Sequence, residues 1–117
     1  HSMPSRGRDG HDDAGVERAD IVPGTRGRTT TAAPVIALVE ELAQGAGFRL
    51  RHDEPYRGGF TTLNNGRPRD GIHAIQIELA RRLYMDERTL AQRPAEFSRL
   101  RSFCKELVAR LGALKLV

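Results

Sequence analysis

Between Ile72 and Leu79 the chain alternates with a period of two, and this constrains the fold more than any other feature. Ile72, Ala74, Gln76 and Glu78 fall on one face of a strand, and His73, Ile75, Ile77 and Leu79 on the other. The apolar run is broken near its C-terminal end by Gln76 and Glu78. Open α/β sheets bind their ligands at the carboxyl ends of strands, so Glu78 is a candidate catalytic carboxylate. A glutamate that only marks where the strand emerges into water fits the same pattern.

The surrounding sequence predicts further elements. Pro34 suits the first turn of a helix whose apolar stripe is Val35, Ile36, Leu38, Val39 and Leu42, ended by Gly45 and Gly47. Phe97, Leu100, Phe103, Cys104, Leu107, Val108, Leu111 and Leu114 trace a second, longer amphipathic helix. Phe48 to His52 alternates as a strand, and Ala19 to Val22 reads as a short strand stopped by Pro23-Gly24. Asn64-Asn65-Gly66 is a turn signal, and the paired glycines 58 and 59 permit tight backbone. Residues 1–33 otherwise lack periodicity. Together these elements describe α/β structure, as part of a sheet.

At 117 residues the chain is expected to form one domain at most. No apolar run approaches bilayer-spanning length and no secretory signal is visible, so a soluble protein is expected, and the use of a single cysteine suits a reducing cytoplasm. The single cysteine, Cys104, excludes an internal disulfide, and its apolar neighbours make it a core thiol. The net charge of +4 comes mainly from scattered arginines without interleaved aromatics, which gives no support to nucleic-acid stacking and suits a small anionic ligand. His11-Asp12-Asp13 and His52-Asp53-Glu54 hold metal-ligand residue types, but strand neighbours point to opposite faces and loop clusters are usually solvated. His73 reads as a hydrogen-bonded core histidine. The opening His1-Ser2-Met3 reads either as a remnant preceding Met3 or as the interior of a longer protein.

Several blocks carry a resemblance. His1 to Ser5, Arg18-Ala19-Asp20-Ile21-Val22-Pro23-Gly24, Asp53 to Thr62, Gly66-Arg67-Pro68, His73 to Glu78, Arg81 and Leu83-Tyr84-Met85-Asp86-Glu87 resemble the C-terminal half of the N-formylglutamate amidohydrolases. The Gln-x-Glu strand followed by Leu-Tyr-Met-Asp-Glu is the most specific of them. The resemblance implies the C-terminal part of a three-layer, mixed-sheet, zinc-exopeptidase-like fold. Residues 1–117 are then the C-terminal portion of a single catalytic domain, 1–33 its loop-rich active-site segment, and the N-terminal half is missing. The implied reaction is hydrolysis of N-formyl-L-glutamate to formate and glutamate, a step of histidine degradation.

In that family one zinc ion is held by a His and a Glu from an early motif and by a later His, which His1 resembles. Glu78 resembles the general base. Arg81, and second Arg18, resemble partners for substrate carboxylates, a role suited to the guanidinium fork. Tyr56, Gly58 and Gly59 resemble the substrate-side loop, where Tyr56 is placed to donate to a developing oxyanion. The early zinc motif is absent, so the chain by itself is expected to be inactive. Pro23 stands where the family often has Leu, which removes a backbone donor. Two other functions fit the residues: a related zinc amidohydrolase acting on another N-acyl amino acid, and a non-catalytic, truncated basic protein.

Overall fold

The computed structural model describes residues 1–116. Its regular elements are β1 (Ser2–Met3), β2 (Ile21–Gly24), α1 (Ala33–Gly45), α2 (Phe60–Asn65), β3 (Gln76–Ala80) and α3 (Pro94–Ala113). Two 3-10 turns, Pro68–Asp70 and Arg81–Leu83, flank β3. The sheet is mixed, ordered β1-β3-β2, with β1 parallel and β2 antiparallel to the central strand. The chain is thus a mixed α/β structure built on three strands.

Alternation along β3 sorts the core. Ile75, Ile77 and Leu79 pack against Ile21, Val39, Ala43, Phe48, Leu100, Phe103 and Leu107, so α1 and α3 lie on this side of the sheet. Phe48 meets Phe103 edge to face, with ring centroids 5.1 Å apart. On the opposite face Ala80 joins Met3 and Val22 in a smaller cluster, and Gln76 and Glu78 point the same way. The apolar face is what fixes the register of β3: slipping by one residue would bury Gln76 and Glu78 among aromatics.

Four sequence expectations are corrected. The strand begins at Gln76, because Ile72 turns back to bridge Arg67 and Ala74 bonds Thr30 in both directions. Pro23 and Gly24 do not stop β2; they lie within it. The odd residues of β2 face the 49–53 segment: Ile21 N–H donates to Arg49 O, Arg51 N–H to Ile21 O, and Asp53 N–H to Pro23 O. Pro23 therefore sits where its missing N–H takes nothing from the ladder to β3. Phe48–His52 is no strand beyond the single bridge from Leu50 to Ile21, because Asp53, at φ 61°, turns the chain away. Val108 is 71% exposed, as only the stripe Leu100, Phe103 and Leu107 of α3 is buried.

Gly24 closes the approach of β2 to the Gly58–Gly59 loop. A Cβ there would stand 2.5 Å from Gly58 N and 2.7 Å from Arg57 C, both backbone atoms that cannot rotate aside. Gly24→Ala is expected to destabilise by about 1–3 kcal/mol, the usual cost of overpacking. Gly45→Ala, with nothing within 4 Å of the added Cβ, should not destabilise. Urea unfolding of the two variants measures the contrast, and equal midpoints would refute the contact.

Candidate active site

β3 delivers Glu78 to the polar face beside the start of the chain. His1 runs alongside, its carbonyl accepting from Leu79 N–H and its backbone nitrogen donating to Ile77 O at 3.0 Å. Its ring Nδ1 then lies 3.3 Å from Glu78 Oε1. The second group on that oxygen is Gln76 Nε2, 3.0 Å away. Glu78 is only 6% exposed, and burial pushes its carboxyl above the ordinary value against the opposing pull of the Arg18 guanidinium. Oε2 makes no hydrogen bond among the described residues, yet it is not one of the sealed, unpartnered atoms, which are Thr31 Oγ1 and His52 Nδ1. The result is a proton-hungry carboxylate with one oxygen held and the other open.

The loop carrying Gly58 and Gly59 meets this group through Gln76. Gly59 N–H donates to Gln76 Oε1 at 3.1 Å. Gly58 holds φ 94°, accessible to glycine at little cost, and its carbonyl accepts from Arg26 Nη1. His1, Gly59, Phe60, Thr62, Gln76 and Ile77 help to line a hollow of about 520 Å³.

Arg18 and Tyr56 are brought together a short way off. The Arg18 guanidinium stands 5.2 Å from the Tyr56 ring centroid, and Nη1 donates to the phenol oxygen at 3.3 Å. Its fork is already filled: Nε and Nη2 donate to the two oxygens of Asp13 at 2.6 and 3.0 Å. Arg81 opens the 3-10 turn after β3, and among the described residues its side chain makes no hydrogen bond or ion pair. The neighbouring Arg82 does that work instead, bonding Ser5 O, Arg18 O and Asp20 Oδ1 and so tying the start of the chain to β2 and β3.

Of the discounted clusters, His52-Asp53-Glu54 has structural partners, and in His11-Asp12-Asp13 only Asp13 does, through Arg18. Asp53 caps the 25–27 backbone by accepting from Thr25, Arg26 and Gly27 N–H, and His52 Nε2 pairs with Glu40 at 2.7 Å. His73 accepts from Ala32 N–H. Cys104 is half-buried, and burial raises its thiol above the ordinary value.

A zinc ion implied by the family resemblance finds a partial fit here. His1 is 72% exposed and its Nε2 is without a hydrogen bond among the described residues, which suits one ligand position. No group of three or more His, Cys, Asp or Glu able to hold a metal stands together among the described residues. Sequence reasoning gave Gln76 no role of its own in the site, and missed the pairing of Asp13 and the part played by Arg82. Gln76 was legible, since period two places it on the face of Glu78, whereas nothing in the spacing pairs Asp13 with Arg18 or sets Arg82 above Arg81.

Comparison with known proteins identifies the relatives of this arrangement. The family model of N-formylglutamate amidohydrolase matches residues 1–85. An N-formylglutamate deformylase of Pseudomonas aeruginosa is 30% identical over 96 residues, covering 80% of this chain and 36% of the relative. The crystal structure of N-formylglutamate amidohydrolase from Ralstonia eutropha JMP134 is similar with a TM-score of 0.77 at 26% identity, over 96% of this chain and 40% of that one. The chain thus spans two fifths or less of the length of these relatives.

Proposed function

The chain belongs to the N-formylglutamate amidohydrolase family, and on that premise we propose that it serves hydrolysis of N-formyl-L-glutamate to formate and L-glutamate, with Glu78 moving the proton. The observation that carries this reading is the buried Glu78, raised above its ordinary pKa, held at Oε1 and open at Oε2. Amide hydrolysis needs a water relieved of a proton and a proton given to the leaving nitrogen. A carboxylate tuned upward does both, first as base and then as acid. Oε2 is the oxygen for that exchange, while His1 Nδ1 and Gln76 Nε2 hold Oε1 still.

His1 is the one zinc ligand assigned to this chain, the remaining ligands lying outside it. His1 would hold such an ion, which when bound would lower the pKa of a water and polarise the formyl carbonyl. The hollow beside Gln76 takes the substrate, with Gly59 in its wall and Gly58 next to it; Tyr56, which lines a separate hollow with Arg18, keeps the role of oxyanion donor from the family resemblance. Arg81, unpaired among the described residues, is the first choice for a substrate carboxylate. Arg18 is the second, since Asp13 already occupies its fork, and its charge also faces Glu78. The same reading makes residues 1–117 the C-terminal part of one catalytic domain, and its sheet a piece of a larger three-layer, zinc-exopeptidase-like sheet. It places the protein in the cytoplasm, acting on a small anionic amino-acid derivative. Among the described residues no helix is long and apolar enough to cross a membrane.

The test grafts this chain into the P. aeruginosa deformylase in place of the region it matches and compares N-formyl-, N-acetyl- and N-succinyl-glutamate. Release of formate from the first, in clear excess over cleavage of the others, is expected, and the chain alone should release none. Preference for acetyl or succinyl glutamate would move the assignment to another N-acyl substrate. A folded graft without any cleavage would refute the hydrolase reading.

A further inference from the structure

We propose that Gln76 is a positioning residue that joins the Gly58–Gly59 loop to Glu78 and decides which oxygen of Glu78 stays free. The proposal rests on the hydrolytic reading for its purpose, but its geometry stands apart from it. Gln76 and Glu78 are two residues apart on β3 and so share a face. The Gln76 amide spans two partners that need opposite ends of it. Gly59 N–H requires an acceptor and finds Oε1 at 3.1 Å; the Glu78 carboxylate requires a donor and finds Nε2 at 3.0 Å. Only one orientation of the amide satisfies both, so the flip that an exposed glutamine is free to make is closed off.

The loop end of this link is itself fixed. Gly58 is wedged against Gly24, and Gly59 is the residue that opens α2. Displacement of the loop therefore pulls on Gln76 Oε1, and through the rigid amide on Glu78 Oε1. With Oε1 also taken by His1 Nδ1, the carboxylate is held at that oxygen and Oε2 is left without a hydrogen bond among the described residues. A ligand seated in the hollow beside Gly59, Phe60 and Gln76 is in contact with the same loop that sets the carboxylate. Glutamate or asparagine does not replace this residue. Glutamate lacks the donor and sets a like charge beside Glu78, and asparagine is one methylene too short to bridge both.

The experiment is NMR on the whole chain with Gln76→Met, which keeps the volume and removes both bonds, and with Gln76→Glu, which keeps only the acceptor for Gly59. In Gln76→Met the Gly59 amide should exchange with solvent about tenfold faster or more. The Leu79 and Ala80 amides, bonded to His1 O and Asp20 O, should keep their rates. The Glu78 side chain should pass from a single rotamer to averaged three-bond couplings. Gln76→Glu should retain slow Gly59 exchange while Glu78 becomes averaged. Unchanged Gly59 exchange in Gln76→Met, or a Glu78 side chain that stays in one rotamer in both variants, would overturn the proposal. So would equal acceleration at Leu79 and Ala80, which would mark simple fraying of the strand. None of these readouts depends on turnover, so an inactive wild-type graft would sink the hydrolytic reading and leave the role of Gln76 to be judged by exchange alone.

Discussion

Glu78→Gln is expected to lower formate release in the grafted enzyme by about 10²–10⁴-fold, the range supplied by a positioned general base. The substitution keeps size and shape and removes only the capacity to take a proton. Stability should move the other way. Burial disfavours the ionised form of Glu78, so the folded chain carries a cost when this carboxylate is charged. That cost is absent below the ordinary value of 4.5 and grows as pH rises through the higher folded value. A neutral glutamine removes it, so thermal unfolding at neutral pH should be unchanged or slightly raised while turnover collapses. Loss of both together would mean that Glu78 holds the fold, and retained turnover would end its assignment as the base.

Asp13→Ala should be among the most damaging substitutions of a single surface-reaching residue. The Arg18 side chain is 2% exposed, and Asp13 supplies both oxygens to its fork. Stranding a fully buried charge costs about 3–5 kcal/mol. Asp13 is 22% exposed, so water reaches part of the gap, and Tyr56 and Pro4 still accept from Nη1. The expected loss is therefore about 2–3 kcal/mol, the scale of hydrogen bonds to a charged group. Asp12→Ala, one residue away and exposed, should change stability by less than about 0.5 kcal/mol.

The pair also fixes a pH dependence. The hydrogen bond from Arg18 holds Asp13 below its ordinary value of 3.8, against the desolvation that raises it. Its contribution is thus fully present above 3.8 and lost as pH falls through the lower folded value. The gap between wild type and Asp13→Ala in urea midpoint should close in strong acid and persist at neutral pH. A gap that is constant down to strong acid would show that the ion pair is not what Asp13 contributes.

Some of this was written in local sequence. The two long helices were legible because the periodicity of an apolar stripe depends only on the helix itself: Val35, Ile36, Leu38 and Val39 are buried in α1, and Leu100, Phe103 and Leu107 in α3. Where a stripe ran wider than its partner surface, as at Val108, periodicity overstated the contact. Strand ends were less legible. Ile72 to Ile75 alternate as well as Gln76 to Ala80 do, but pairing stops at Gln76 because Thr30 and Arg67 claim the backbone before it. Pro23 reads as a stop signal on propensity, yet its bare nitrogen lies on the side of β2 away from β3, which no local rule reveals.

For the site, alternation alone determined that Glu78 and Gln76 share a face and that Ile75, Ile77 and Leu79 oppose them; that Glu78 stands at the middle of β3, with Leu79 and Ala80 still paired beyond it, came from the fold. The two faces follow from the period of extended backbone and need no neighbour. Tertiary structure decided the rest: that His1, 77 positions away, lies 3.3 Å from Glu78, that Gly59 reaches Gln76, and that Arg18 spends its fork on Asp13. These are pairings between segments whose separation in the chain sets no distance in space. They arise only when the sheet order β1-β3-β2 lays the start of the chain along β3. The pKa of Glu78 is of the same kind, since a carboxylate is raised by what closes over it, and burial belongs to the folded molecule.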